Sequence, residues 1–221
     1  MRKQFWIFLL CLCLIGGCGF VPFKGTAYVL LVDSTPDEIL QKHSALTPDS
    51  FKVINTVIFQ FRTKKFLSLG YLSVDTSEKS FELAGMNSVG IKLIEIAAKN
   101  KEILVNNVID EISKRGDVAK VLVSDIDRIY FHSIPANNAR TRLKKKEVVF
   151  IQDDITGRTE YTFAGKGNHL VEKTRYDGKM KTWSVQYYEY MDKDGKVYPK
   201  GIIYKNHKYK YKLIITIKEI I

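Results

Sequence analysis

The alternation between Lys208 and Lys218 constrains this chain more than any other stretch. Tyr209, Tyr211, Leu213, Ile215 and Ile217 fall on one side, against Lys208, Lys210, Lys212, Thr216 and Lys218 on the other. A period of two with one wet side is the pattern of a half-buried strand. Residues 51–61 repeat it, with Phe51, Val53, Val57, Phe59 and Phe61 opposite Lys52, Thr56, Gln60 and Arg62. Further strands are expected at 66–74, 80–84, 90–97, 102–106, 147–152, 158–164, 169–176, 182–190 and 200–205. The breaks between them are short and polar, and Asp177-Gly178 and Asp194-Gly195 are strong hairpin signals. Connections that short impose antiparallel neighbours.

Two helical patterns interrupt the strands. Thr35-Pro36-Asp37-Glu38 combines an N-cap, a first-turn proline and a capping box, before an apolar stripe of Ile39, Leu40, His43 and Leu46. From Asp117, the residues Val118, Val121, Leu122, Asp125, Ile126, Ile129 and Tyr130 recur at three- and four-residue spacing until Pro135 closes the segment. The expected fold is mainly β within the α+β class. It is a single, strongly curved antiparallel sheet with two helices covering its concave apolar face.

The N-terminus carries a different message. Met1-Arg2-Lys3 is followed by an apolar run from Phe5 to Ile15, too short for a bilayer span, which takes about 20 residues. Gly16-Gly17-Cys18 closes it in the manner of a bacterial lipobox, with Ile15 in the branched apolar position. The expectation is a signal peptide at 1–17, a lipidated N-terminus and tether at 18–34, and a domain at 35–221. An ordinary signal cut near Gly17, with Cys18 incidental, is the alternative. Cys11 and Cys13 lie inside the signal, so a mature chain would keep Cys18 alone and have no disulfide. Removing 17 of 221 residues leaves 204, enough for one domain held by its own core. The stretch 19–33 lacks the serine and glycine of a flexible linker, so part of it is expected to pack on the domain.

The formal charge of +11 becomes +9 without Arg2 and Lys3. In an exported protein this excess points to anionic lipid head groups or acidic proteins, and nucleic acid is not an expected partner. The densest basic stretch, Arg140 to Lys146, reads as a surface loop, either a solvated connection or a contact for head groups.

Catalytic signatures are missing. His43, His132, His169 and His207 are scattered, Asp125 and Asp127 diverge on a helix, and Asp153-Asp154 reads as a turn. No nucleophile elbow, phosphate loop or zinc spacing occurs, so neither enzyme activity, a metal nor a cofactor is expected. What stands out is aromatic and apolar. Val57, Phe59, Phe61, Phe81 and Leu83 fall on expected inner faces in the first half, and Trp183, Val185, Tyr187, Tyr209, Tyr211 and Leu213 in the second. They either fill an ordinary core or line an apolar cavity suited to an acyl chain.

Leu83 to Ile96, with Met86-Asn87-Ser88-Val89-Gly90 at its centre, resembles a strand–loop–strand of the LolB family of outer-membrane lipoprotein receptors. There an Asn-Pro-Leu-Gly turn precedes a Leu-x-Glu-Leu strand. Trp183-Ser-Val185-Gln-Tyr187, Tyr190, Pro199 to Ile202 and the final alternating strand are similar to that family's closing hairpins. The chain looks closer still to uncharacterised bacterial lipoproteins related to LolB. The resemblance implies an open, incomplete β-barrel whose helices form a lid over a cavity for lipoprotein acyl chains. It also implies that Val89 protrudes to deliver cargo, with Met86 beside it; burial of Val89 as a strand starter is the alternative. Ser88 replaces the family's proline, which loosens the turn, and Val89 is smaller than leucine. Glycine after Cys18 implies the periplasmic face of the outer membrane.

Together these readings describe a monomeric, membrane-anchored lipoprotein. It accepts an acyl chain or lipidated ligand, delivered by a periplasmic carrier, and holds or transfers it. The alternative is a non-transporting accessory or scaffold lipoprotein of an envelope assembly or an envelope-lipid biosynthesis system.

Overall fold

The computed structural model describes residues 21–31, 34–100, 102–114 and 117–221. Cys11, Cys13 and Cys18 lie outside the described residues.

Helix α1 (Pro36–Leu46) begins as its sequence dictates: the Thr35 side chain accepts from the Glu38 N–H, and the Glu38 carboxylate accepts from the Thr35 N–H. Five strands follow, β1 (Ser50–Phe61), β2 (Lys64–Asp75), β3 (Ser80–Met86), β4 (Lys92–Lys99) and β5 (Glu102–Val108). A one-turn helix, α2 (Asp110–Ser113), leads to α3 (Val118–Tyr130), which is capped by the Asp117 side chain accepting from the Lys120 N–H. Seven more strands complete the chain: β6 (Arg140–Lys144), β7 (Glu147–Asp154), β8 (Gly157–Ala164), β9 (His169–Asp177), β10 (Met180–Lys193), β11 (Lys196–Asn206) and β12 (Tyr211–Ile220).

The twelve strands among the described residues form one sheet in the order β5-β4-β3-β2-β1-β12-β11-β10-β9-β8-β7-β6. Two antiparallel meanders are joined where β1 meets β12, and the edges β5 and β6 do not close on each other. The result is an open barrel with helices against its inner surface. Register shifts at Ile54/Asn55 and Lys181/Trp183 bend the sheet. At the β10–β11 turn both Asp194 and Gly195 have positive φ, 54° and 73°, the geometry of a tight hairpin turn.

The inner surface carries two packed clusters. Ile39 of α1 and Ile129 of α3 sit on Val148, Phe163, Val185, Tyr187, Ile202, Tyr204 and Leu213. Ile126 and Phe131 sit on Val53, Leu72, Val74, Phe81, Ala98 and Ile217. Tyr130 touches both. α3 therefore occupies the middle of the concavity.

The basic stretch expected as a loop is instead the edge strand β6 and its turn. Arg140, Arg142 and Lys144 alternate along it and pair with Asp153, Glu160 and Glu147. Charged side chains on an edge discourage further strand pairing, which explains a run that composition alone presents as a loop. The segment before α1 lies on the sheet. The Phe23 ring sits 5.4 Å from that of Tyr188, the Lys24 N–H donates to Glu189 at 2.8 Å, and the Leu31 N–H donates to the Lys145 carbonyl at 3.1 Å.

Candidate functional site

The expected cavity residues divide into three groups. Phe81, Val185, Tyr187 and Leu213 are buried in the two clusters, and Leu83, Val57, Trp183 and Tyr211 are half-buried against them. These eight fill volume under the helices. Phe59 and Phe61 differ. Ladder pairing puts them on the same inner face as Val53 and Val57, opposite Phe66 and Lys64 of β2 and Leu213 and Tyr211 of β12. Yet Phe59 is 39% exposed, Phe61 38% and Phe66 48%. The concavity is thus covered in its middle and uncovered at one end, leaving a short apolar trough. Phe59 packs on the Tyr211 ring, 5.5 Å between centroids. Tyr209 falls outside this arrangement. β12 starts two residues later, and Tyr209 stands 59% exposed in the preceding turn, where its N–H donates to the Asn206 side chain at 3.0 Å.

The turn from Asn87 to Ile91 lies at the same end. Asn87 Oδ1 accepts from the Val89 N–H at 3.1 Å and the Ile91 N–H at 2.9 Å, and the Asn87 N–H donates to the Ile91 carbonyl. Gly90 supplies the positive φ of 83° that closes the loop. One asparagine thereby does the stiffening that Ser88, in place of a proline, does not. Val89 is 76% exposed and Ile91 58%, so the turn presents two apolar side chains to solvent, while Met86 lies half-buried on the outer face beside Leu69.

The fastening of α3 has no counterpart in any periodic pattern of the chain. The Asp125 carboxylate, almost fully buried, accepts from Tyr211 Oη at 2.6 Å and from Arg128 at 3.2 Å, and Arg128 donates to Tyr204 Oη at 2.7 Å. Burial raises the Asp125 carboxyl above the ordinary carboxylate range, opposed by hydrogen bonds from the two tyrosines and by the Arg128 charge. Tyr187 Oη donates to the Ile129 carbonyl at 2.6 Å. Lys173, 2% exposed, donates to the carbonyls of Phe131 and His132 at 2.8 and 3.4 Å, where the last turn of α3 leaves acceptors without helical partners. Burial brings its ammonium down to about 7, with the Asp127 charge acting the other way.

Beside Lys173 opens a pocket of about 480 Å³, lined by Arg128, Phe131, Tyr161, Arg175 and Trp183 among others. Arg175 is held there by paired contacts to Asp154 at 2.6 and 2.7 Å. Of its lining, Trp183 is the one expected cavity residue, and Asp127, His132 and Asp154 are residues without a catalytic spacing in the sequence. Lys173 and Arg175 sit in a strand whose alternation places them inward, a position where lysine and arginine are rarely expected. No group of three or more His, Cys, Asp or Glu side chains placed to hold a metal ion occurs among the described residues. His43 is buried under α1, His132 lies 3.8 Å from Asp127, His169 stacks on Tyr190 and His207 contacts Ser184.

Residues 54–219 match the family described as Protein of unknown function (DUF3261). The chain belongs to that family. No curated protein matches it in sequence. Among solved structures, this DUF3261 member is similar to a LolA superfamily protein from Nitrosomonas europaea, with TM-score 0.53, 13% identity, and 85% of this chain and 93% of that one covered. It is also similar to an outer membrane lipoprotein-sorting protein domain from Vibrio parahaemolyticus, with TM-score 0.50, 10% identity, and 83% and 90% covered. At such identities the likeness is one of fold, and the DUF3261 chain has the open-barrel architecture that the LolB resemblance implied. No helix among the described residues is long and apolar enough to cross a membrane.

Proposed function

We propose that this protein is an envelope lipoprotein that takes one acyl chain into the trough at the open end of its barrel and holds it or passes it on. The observation that carries this reading is the uncovered trio Phe59, Phe61 and Phe66 on the concave face. An exposed ring on a convex surface needs no explanation, but three together on the concave face, at the end the helices leave uncovered, make a site for apolar matter. Binding needs no covalent step, since each methylene moved out of water contributes about 0.8 kcal/mol. In this reading residues 1–17 are removed as a signal, Cys18 carries lipid, and the domain sits at the periplasmic face of the outer membrane. The protein acts as a monomer without a cofactor, its ligand arrives from a periplasmic carrier, and the Asn87–Gly90 turn lies beside the path by which the chain leaves. The fold likeness to lipoprotein-sorting proteins supports the theme without naming a cargo.

The test is titration of a fluorescent fatty-acyl probe into the 19–221 fragment and its Phe59→Ser/Phe66→Ser variant. Saturable binding is expected, weakened about tenfold or more in the variant, given ~1.5–3 kcal/mol for burying one large apolar side chain. No saturable binding with an intact circular dichroism spectrum would leave the accessory-scaffold reading instead.

A further inference from the structure

Antiparallel order sends successive hairpins to opposite ends of the sheet. The turns joining β1 to β2, β3 to β4 and β11 to β12 share one end, which is also where the trough is uncovered. Those joining β2 to β3, β8 to β9 and β10 to β11 share the other. The two rims differ in chemistry. On the first, Phe61, Phe66, Val89, Ile91 and Tyr209 are all exposed, on three hairpins that are neighbours because β1 lies between β2 and β12. Ile155 and Met180 continue the row on the next two hairpins of that end. On the second rim, residues 76–79, 165–168 and 194–195 are threonine, serine, glycine, asparagine and charged residues.

On the three central hairpins of the first rim the turn charges are of one sign and unclaimed, whereas Asp154 and Asp177 lie on the two hairpins beyond them. Arg62, Lys64, Lys65, Lys208 and Lys210 are exposed, and none forms an ion pair among the described residues. Arg62 lies 5.2 Å from the Phe61 ring centre and Lys208 lies 5.6 Å from that of Tyr209, so each cation is held next to an apolar tip. In the other dense basic stretch Arg140, Arg142 and Lys144 of β6 are by contrast tied to carboxylates, and only Lys145 and Lys146 in its turn, at the second rim, form no ion pair among the described residues.

We propose that the first rim docks on an anionic lipid bilayer, its apolar tips entering the head-group region and its arginine and lysines meeting lipid phosphates. Separate tips with neighbouring strand pairs about 10 Å apart make a poor continuous protein interface. Apolar side chains flanked by exposed cations match the boundary between acyl chains and an anionic head-group layer. Docking this way also sets the mouth of the trough against the membrane. It stands whether or not the trough holds an acyl chain, because it rests on the rim alone.

The experiment uses the chain lipidated at Cys18 and reconstituted on the surface of phosphatidylcholine vesicles with and without about a third phosphatidylglycerol. A polarity-sensitive fluorophore is placed through Phe61→Cys, Val89→Cys or Tyr209→Cys on the first rim, and through Lys166→Cys or Asp194→Cys on the second. First-rim probes are expected to shift to the blue and to be quenched by spin-labelled lipids, more strongly with phosphatidylglycerol, while second-rim probes stay in water. Changing Lys64, Lys65, Lys208 and Lys210 to glutamine removes only exposed, unpaired charges. It is expected to abolish the phosphatidylglycerol dependence, at roughly fivefold in partitioning per charge. First-rim probes that remain in water on anionic vesicles, or second-rim probes quenched equally, overturn the proposal. The acyl-probe titration is read separately and is unaffected by either outcome.

Discussion

Two buried bases make this fold sensitive to pH in the same direction but in different windows. His43 is packed edge-on against Phe163, 5.1 Å between ring centres, and burial together with the neighbouring His169 brings it down to about 4. Between that value and the 6.5 of an exposed histidine, the unfolded chain binds a proton that the folded chain refuses. Stability attributable to His43 is therefore complete above 6.5 and is lost as pH falls towards 4, by about 3 kcal/mol. Lys173 repeats the logic higher up: from about 7 to 10.5 the unfolded chain holds the extra proton, so stability rises with pH across that window. Urea denaturation should show both slopes, His43→Leu flattening the acid one and Lys173→Met the alkaline one. Slopes unchanged by these substitutions would mean that neither side chain is as dry as its surroundings imply. Neither effect was legible beforehand, because burial of a polar residue depends on what the fold brings over it and a lone histidine or lysine carries no periodic mark.

Elements were far more readable than residues. A period of two survives interruption by a bulge, so strand β12 was expected at 208–218 and is found at 211–220, and the caps of α1 and α3 are the residues the sequence offers. The misread element is β6, whose pairing on one side only lets it carry charges a central strand would exclude. Tyr209 continues the alternation of β12 in the sequence, but the strand starts two residues later and leaves Tyr209 in the preceding turn. The segment before α1 offers a test at this scale. A Cβ on Gly201 would stand 2.4 Å from the Phe23 ring, and that ring belongs to a surface segment that can leave more easily than β11 can bend. Gly201→Val should expose residues 21–31 and bring rapid tryptic cleavage after Lys24, while the sheet's near-ultraviolet spectrum stays intact. Cleavage no faster than in the parent would show that the segment's hold does not depend on this contact.

At the scale of the whole molecule, α3 decides how much ligand an open barrel can take. Its Ile126 and Ile129 occupy the middle of the concavity, while Asp125, Arg128 and the acceptors facing Tyr187 and Lys173 tie its polar side to the sheet. With the helix in place, the uncovered inner face runs along β1 from Phe61 towards Val57, about 13 Å of strand. Lengthening a short acyl ligand should then improve binding by about fourfold per methylene. The gain should stop once the chain outruns the trough and its remaining carbons stay in water. Calorimetric titration of a homologous series of acyl ligands reads this directly, as a rise followed by a plateau. The apolar area buried, and with it the negative heat-capacity change, should level at the same chain length. A gain that continues through the longest chains would sink the fixed-helix picture, because beyond Val57 those carbons would enter the packed space that Ile126 and Ile129 now fill. In that event Tyr211→Phe and Lys173→Met, which each loosen a fastening of α3, should tighten binding of long chains and leave short ones unchanged.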